Sequence, residues 1–151
     1  MNERQKHDRV DRFERLCHER GLPMTSQRRI ILEEFLELND HPSADRVHER
    51  VVRRLPEISR TTVYRTLETL AEMGVITKAC HPGRAIRYDR RTEMHHHLVC
   101  NRCSRILDIS DPALDSVPLP DTSALGFRVS DHRVQIRGVC RDCREKEEEA
   151  S

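Results

Sequence analysis

The chain has no tryptophan, two tyrosines and three phenylalanines, so aromatic residues make up only 3% of its 151 positions. Without large rings to fill an interior, each core must be small and mainly aliphatic. Charged residues (35%) nearly equal hydrophobic ones (36%), which leaves little apolar surface to bury. No run reaches the roughly 18 apolar residues that a membrane span needs, so no transmembrane helix is expected. The start, Met1-Asn2-Glu3-Arg4-Gln5-Lys6, is polar and leads into no apolar stretch. No signal peptide is therefore expected, and a cytoplasmic location follows. Nor does one charge sign dominate. The formal net charge is +1, with 18 basic and 15 acidic residues up to Arg90 and 9 and 11 after it. That mild asymmetry leans the front of the chain toward nucleic acid.

Of six cysteines, four form two matching pairs, Cys100/Cys103 and Cys140/Cys143. In a reducing compartment such pairs favour metal over disulfide. Zinc–sulfur bonds of about 2.3 Å at tetrahedral angles require ligands that arrive in pairs on tight turns. The 36 residues between the pairs, 104–139, suffice for a strand, a helix and a strand, so one ion would clip both edges of a small sheet. A redox dithiol usually comes as a lone pair at a helix N-terminus, unlike this arrangement. A chain with so little core also gains stability from a metal staple. Cys17 and Cys80 have no partner in sequence and read as core thiols.

Along the chain, Val10, Phe13 and Cys17 share one face of a charged helix over 4–20, stopped at Gly21-Leu22-Pro23. Thr25 caps a helix running to Leu38, Ser43 one through Arg54, and Ser59 one from Arg60 to Met73 that ends at Gly74. The period then changes. Residues 75–80 and 85–89 read as strands around the turn 81–84. Helices followed by a hairpin describe a winged helix-turn-helix over 1–90. The segment 91–151 reads as a small α/β unit: a strand into Cys100, a second over 105–109, a short helix over 112–117, a strand over 127–139 and a solvated acidic tail from Arg144. The expected class is thus α+β.

Two further constellations carry chemistry. His95 and His97 alternate along a strand and face one way, with His96 facing the other. Asp89 ends the wing, Asp108 follows Cys103 by five residues, and His41 precedes Pro42. If the two domains fold toward each other, His41, Asp89, His95, His97 and Asp108 make a nitrogen/oxygen shell suited to Fe(II), Mn(II) or Zn(II). The helix from Arg60 buries Val63, Leu67, Leu70 and Ala71 and leaves Arg60, Thr61, Thr62, Tyr64 and Arg65 near its start, where a recognition helix meets bases and phosphates. Arg84 and Arg87 on the wing add phosphate contacts. Two other classes compete. A zinc hydrolase would use His95, His97 and an aspartate with one position open, but no general base or glycine-rich substrate loop is visible. A structural zinc-ribbon module would leave the winged helix and the histidines without a role.

Five stretches carry a family likeness: Thr25-Ser26-Gln27-Arg28, His41-Pro42-Ser43-Ala44-Asp45, Thr62-Val63-Tyr64-Arg65-Thr66-Leu67, His95-His96-His97-Leu98-Val99-Cys100-Asn101-Arg102-Cys103 and Gly138-Val139-Cys140-Arg141-Asp142-Cys143. Through them the chain, from Asp11 to Cys143, resembles the ferric uptake regulator family of bacterial metal-dependent repressors. The resemblance implies a homodimer joined through the C-terminal domain, operator DNA as partner, no small organic substrate and no enzyme activity. It also implies a structural zinc on Cys100, Cys103, Cys140 and Cys143, and a regulatory Fe(II) or Mn(II), with Zn(II) an alternative, on His41, Asp89, His95, His97 and Asp108. Some members carry a further site, matching His96, Asp115 and His132 here, although Met94 stands where the family has a histidine. Asp89 and Asp108 resemble peroxide-sensing members, whereas iron-sensing ones have glutamate there. Arg65 looks more like the iron-sensing type. Peroxide sensing is the expected branch, with iron-sensing and zinc-sensing repressors as alternatives. Ser26 replaces a usual proline after the capping threonine, which loses some pre-organisation at the first helical position.

Overall fold

The computed structural model describes residues 2–79 and 85–150. The expected turn 81–84, with Cys80 and Arg84, lies outside the described residues. The chain divides into two compact units, Met1–Thr92 and Glu93–Ser151.

The first unit is built from four capped helices and a two-stranded wing. Helix α1 (Glu3–Glu19) opens with a reciprocal capping box between Asn2 and Gln5 and buries Val10, Phe13 and Cys17. Helices α2 (Ser26–Glu37), α3 (Ala44–Val51) and α4 (Arg60–Glu72) start at Thr25, Ser43 and Ser59. Each of these hydroxyls accepts from the backbone N–H three residues on, at 3.2, 3.4 and 3.0 Å. Helix α3 ends three residues earlier than expected. Arg53 and Arg54 fall back to i−3 bonds, and Leu55 precedes Pro56, which disfavours helical backbone. The end of α4 is a Schellman turn: Gly74, at φ +69, donates to Ala71 and Val75 donates to Leu70. That turn takes the backbone of Val75, so strand β1 is only Thr77–Ala79, antiparallel to β2 (Arg87–Asp89). Val47, Val51, Val63, Leu67, Leu70, Ile31, Leu32 and Phe35 close one aliphatic core with Phe13 and Tyr88.

The second unit is a three-stranded sheet, order β4-β3-β5, with β3 (His96–Cys100) central, β4 (Ile106–Ile109) antiparallel to it and β5 (Gln135–Gly138) parallel. Helix α5 (Pro112–Asp115) and a 3₁₀ turn at Ser123–Leu125 lie in the crossover. The strand expected over 127–139 is corrected to four residues, because β3 offers paired partners only to 135–138. Phe127 and Val129 are exposed instead. The expected solvated tail is exposed and takes helical form as α6 (Arg141–Glu149), which begins on Cys140 and is held to the first cysteine turn by Arg105–Asp142 (2.8 Å) and Arg102–Glu147 (2.7 Å). Its face is exposed, as a solvated charge run requires. Among the described residues of this unit the buried hydrophobic side chains are Val99, Cys100 and Ile106. Among the described residues no helix is long and apolar enough to cross a membrane.

Leu67 is fully buried at the centre of the first core. Replacing it by alanine should cost about 2–5 kcal/mol, read as a lower urea midpoint for the helical unfolding transition. An unchanged midpoint would contradict this packing.

Candidate metal centres and nucleic-acid face

The four paired cysteines sit at two chain reversals. Cys100 ends β3, Cys103 lies in the turn before β4, and Cys140 and Cys143 start α6. Their sulfurs lie within 4.8 Å of one another, and Cys103 Sγ is 3.7 Å from Cys140 Sγ. Sulfurs bound tetrahedrally to one zinc at about 2.3 Å are about 3.8 Å apart, so the set fits that ion. The turn requires Ser104 at φ +60, a left-handed conformation that a non-glycine residue adopts at some cost. Backbone N–H groups of Cys103, Cys140 and Arg102 aim at Cys100 Sγ and hold its thiol down at about 6. Cys143 is pushed up to about 12 by its hydrogen bond to Cys140, by burial and by the neighbouring thiolate. Four thiols this close cannot all ionise without a cation among them, which is the chemistry of a zinc site.

The nitrogen and oxygen ligands form one group in each unit. In the first, His41 Nε2 lies 3.3 Å from Asp89 Oδ2, and both side chains are buried. Asp89 Oδ1 accepts the Arg91 backbone N–H at 2.8 Å, and Oδ2 is the oxygen that meets His41. In the second, register places His97 opposite Asp108. His95 Nε2 and His97 Nε2 are 3.1 Å apart, and each is 3.6 Å from Asp108 Oδ1. Ligand atoms about 2.1 Å from one ion, at octahedral to tetrahedral angles, are about 3.0–3.4 Å apart; the imidazole pair matches that spacing, and Asp108 lies a few tenths of an ångström beyond it. His95 Nδ1 faces the Glu93 carbonyl at 2.7 Å, which fixes its proton there and leaves Nε2 for a ligand.

His96 faces away from that triplet. Its Nδ1 accepts the Val134 N–H at 3.0 Å, so the ring proton resides on Nε2, which donates to Asp115 Oδ1 at 2.9 Å. The His132 ring lies 5.8 Å from it, and His132 Nε2 meets the Leu114 carbonyl at 2.9 Å. With Nδ1 accepting a hydrogen bond, Nε2 could ligate a metal only as an imidazolate. His96 and Asp115 are therefore a hydrogen-bonded pair in this geometry, and His132 bonds to the neighbouring Leu114 carbonyl.

On α4, Arg60, Thr61, Tyr64 and Arg65 are exposed, whereas Thr62 is half-buried and its hydroxyl is 2.9 Å from Ser59 Oγ. Thr62 thus serves the cap as much as the surface. Two grooves flank the helix. One, of about 400 Å³, is lined by Asp45, Arg60, Thr61, Tyr64 and Ile86; the other, of about 290 Å³, by Gln27, Arg28, Arg65 and Thr69. Gln27 and Arg28 were missed by sequence reasoning. The signal was the capped start of α2, whose first turn holds no acidic residue.

The family model described as the ferric uptake regulator family matches residues 19–137. The chain belongs to the ferric uptake regulator family. This Fur-family chain is 36% identical over 129 residues to the peroxide operon regulator of Bacillus subtilis, spanning 85% of this chain and 89% of that protein. It is 32% identical to a solved zinc-bound manganese uptake regulator at a TM-score of 0.63, covering 84% and 97% of the two chains. The ferric uptake regulator of Helicobacter pylori shares the fold at a TM-score of 0.76, with 19% identity and 92% and 93% coverage. As a Fur-family member the chain is a metal-dependent transcriptional regulator and not an enzyme.

Cys140→Ser removes one of the four sulfurs. The variant should lose its zinc on dialysis against a mild chelator while the wild type keeps it, as measured by elemental analysis. Equal zinc retention would contradict a four-thiolate site.

Proposed function

We propose that the chain is a cytoplasmic, homodimeric repressor of operator DNA that responds to Fe(II) or Mn(II) and, with iron, to peroxide. Cys100, Cys103, Cys140 and Cys143 hold the structural zinc. His41 and Asp89 of the first unit and His95, His97 and Asp108 of the second share one regulatory metal. Support for a shared site comes from ligand number. Two or three ligands leave three or more positions of an octahedron to solvent, while five leave a single position open. A metal held by both units favours, by its differential affinity, the arrangement that completes the shell. Arg60, Thr61, Tyr64 and Arg65, with Thr62 at the cap and Arg84 on the wing, meet the duplex.

The homodimer is supported by the second unit's sheet. Leu98, Leu107 and Ile136 align across the three strands in one row, and Leu107 and Ile136 are about half exposed beside a cavity of about 170 Å³. A unit with so few buried apolar groups gains from covering that row. His96, Asp115 and His132 enter the proposal as a pin joining β3, α5 and the segment before β5.

The peroxide branch rests on Asp89 and Asp108, which resemble the family's peroxide-sensing pattern, together with the identity to the Bacillus subtilis protein. Bound Fe(II) would supply the electrons that activate peroxide. The imidazoles of His41 and His95 are the oxidisable groups beside it, and oxidation of either removes a ligand. Iron or zinc sensing without peroxide chemistry is the second reading, favoured by Arg65 alone.

The deciding observation is the His95–His97–Asp108 triplet, and its test is DNA affinity at fixed salt. With a duplex selected from random sequence by the Mn(II)-loaded protein, Mn(II) should tighten binding about tenfold or more, and His97→Ala should abolish the gain. Metal-independent or absent binding would overturn the regulator mechanism. For the peroxide branch, Fe(II)-loaded protein treated with hydrogen peroxide should show one added oxygen on the peptide of His41 or His95 by mass spectrometry, with loss of DNA binding. Retained binding without an adduct would favour the iron-sensing reading.

A further inference from the structure

The metal half-site of the first unit and the recognition helix lie on different elements, and a short list of bonds connects them. Asp89 ends β2, and the residues before it tie that strand to the segment carrying His41. Arg87 Nη1 donates to the His41 carbonyl at 2.9 Å, the Tyr88 N–H donates to the Pro42 carbonyl at 3.0 Å, and Arg87 bridges Ser43. His41 and Asp89 thus sit on one stitched ribbon. Tyr88, between Arg87 and Asp89, is fully buried, and its side chain leaves the ribbon for α4. Its hydroxyl donates to Glu68 Oε1 at 2.7 Å, and the other oxygen of Glu68 accepts from Lys78 of β1 at 2.7 Å. Glu68 lies one helical turn beyond Tyr64 and Arg65, the exposed residues of the DNA-facing end.

A second connection exists. Ser43 caps α3, whose Asp45 pairs with Arg60 at 3.2 Å, but both partners of that pair are more than two-thirds exposed. Exposed pairs of this kind contribute little and are screened by salt. The Tyr88–Glu68 bond is the stronger link: it is charge-assisted, and its donor comes from a fully buried ring.

We propose that Tyr88 and Glu68 are positioning residues that transmit metal occupancy of the His41–Asp89 half-site to the recognition helix. This inference rests on the metal-coupled reading of function above. The hydroxyl of Tyr88 acts as a strut of fixed length. A shift of β2 that brings Asp89 toward a metal carries Tyr88 with it, and Glu68 passes the shift to α4. The ring fills the core whether or not the hydroxyl is present, so packing and coupling are separable by one atom.

The test compares wild type with Tyr88→Phe, using the selected duplex as probe and Mn(II) as the metal. Four quantities are measured: DNA affinity without metal, DNA affinity with saturating Mn(II), Mn(II) affinity without DNA, and Mn(II)-induced protection of α4 amides from hydrogen exchange without DNA. In Tyr88→Phe the ratio of the two DNA affinities should fall by about fivefold or more, and the α4 protection should shrink. Metal-free DNA affinity and Mn(II) affinity should stay within about twofold of wild type. A merely structural role would weaken DNA binding with and without metal alike and leave the ratio intact, which would overturn the proposal. If Tyr88→Phe does not fold, Glu68→Ala carries the same test, with the same ratio deciding. A wild-type protein whose DNA affinity ignores Mn(II) would overturn the functional reading itself, an outcome distinct from a preserved ratio in the variant.

Discussion

The convergence of four cysteine sulfurs is the constraint on which the C-terminal unit depends. With Val99, Cys100 and Ile106 as its buried hydrophobic side chains among the described residues, that sheet lacks the apolar interior that would hold three short strands together. Cys100 ends the central strand, Cys103 begins the path to β4, and Cys140 and Cys143 follow β5, so one ion at their centre ties all three strands and α6. Arg105–Asp142 and Arg102–Glu147 reinforce the same corner from outside but are exposed pairs of small worth. With so little apolar interior, this unit has more to gain from an ion at its cysteine corner than the helical unit, which has an ordinary aliphatic core.

That division of labour has a consequence for sensing. The histidines of the regulatory triplet lie on, or directly before, the strand that the cysteines anchor, within five residues of Cys100. Their spacing is set by the sheet register rather than by flexible side chains. His97 sits opposite Asp108 because β3 and β4 pair that way, and the pairing is pinned at one end by the cysteine corner. A sensor must change with metal occupancy, but a site that deforms freely would bind many ions equally.

Much of the helical unit was legible in the sequence. Thr25, Ser43 and Ser59 were readable as caps because a cap involves residues three apart, and their hydroxyls accept the expected bonds. The buried face of α1 followed from the spacing of Val10, Phe13 and Cys17. The expectations that failed depended on distant partners. The last strand was read from its own β-branched and aromatic residues, but its length is decided by β3, whose paired residues reach only 135–138. The acidic tail was read as solvated from its charge, and it is exposed; its helical form, α6, was not read, because it starts on two cysteines that meet another part of the chain.

By itself the sequence determined the metal chemistry: four soft sulfurs in pairs, and imidazoles with carboxylates for a harder ion. Ligand type is a property of single residues, and their spacing is short. Tertiary structure alone decided which atoms of those ligands are left to bind. The Arg91 N–H occupies one oxygen of Asp89, the Glu93 carbonyl orients His95, and the Val134 N–H turns His96 into a donor toward Asp115. It also decided that Tyr88, a residue that reads as ordinary strand core, joins the recognition helix through Glu68, 20 residues earlier in the chain. Hydrogen bonds between positions so far apart have no local pattern, because only packing brings donor and acceptor within reach.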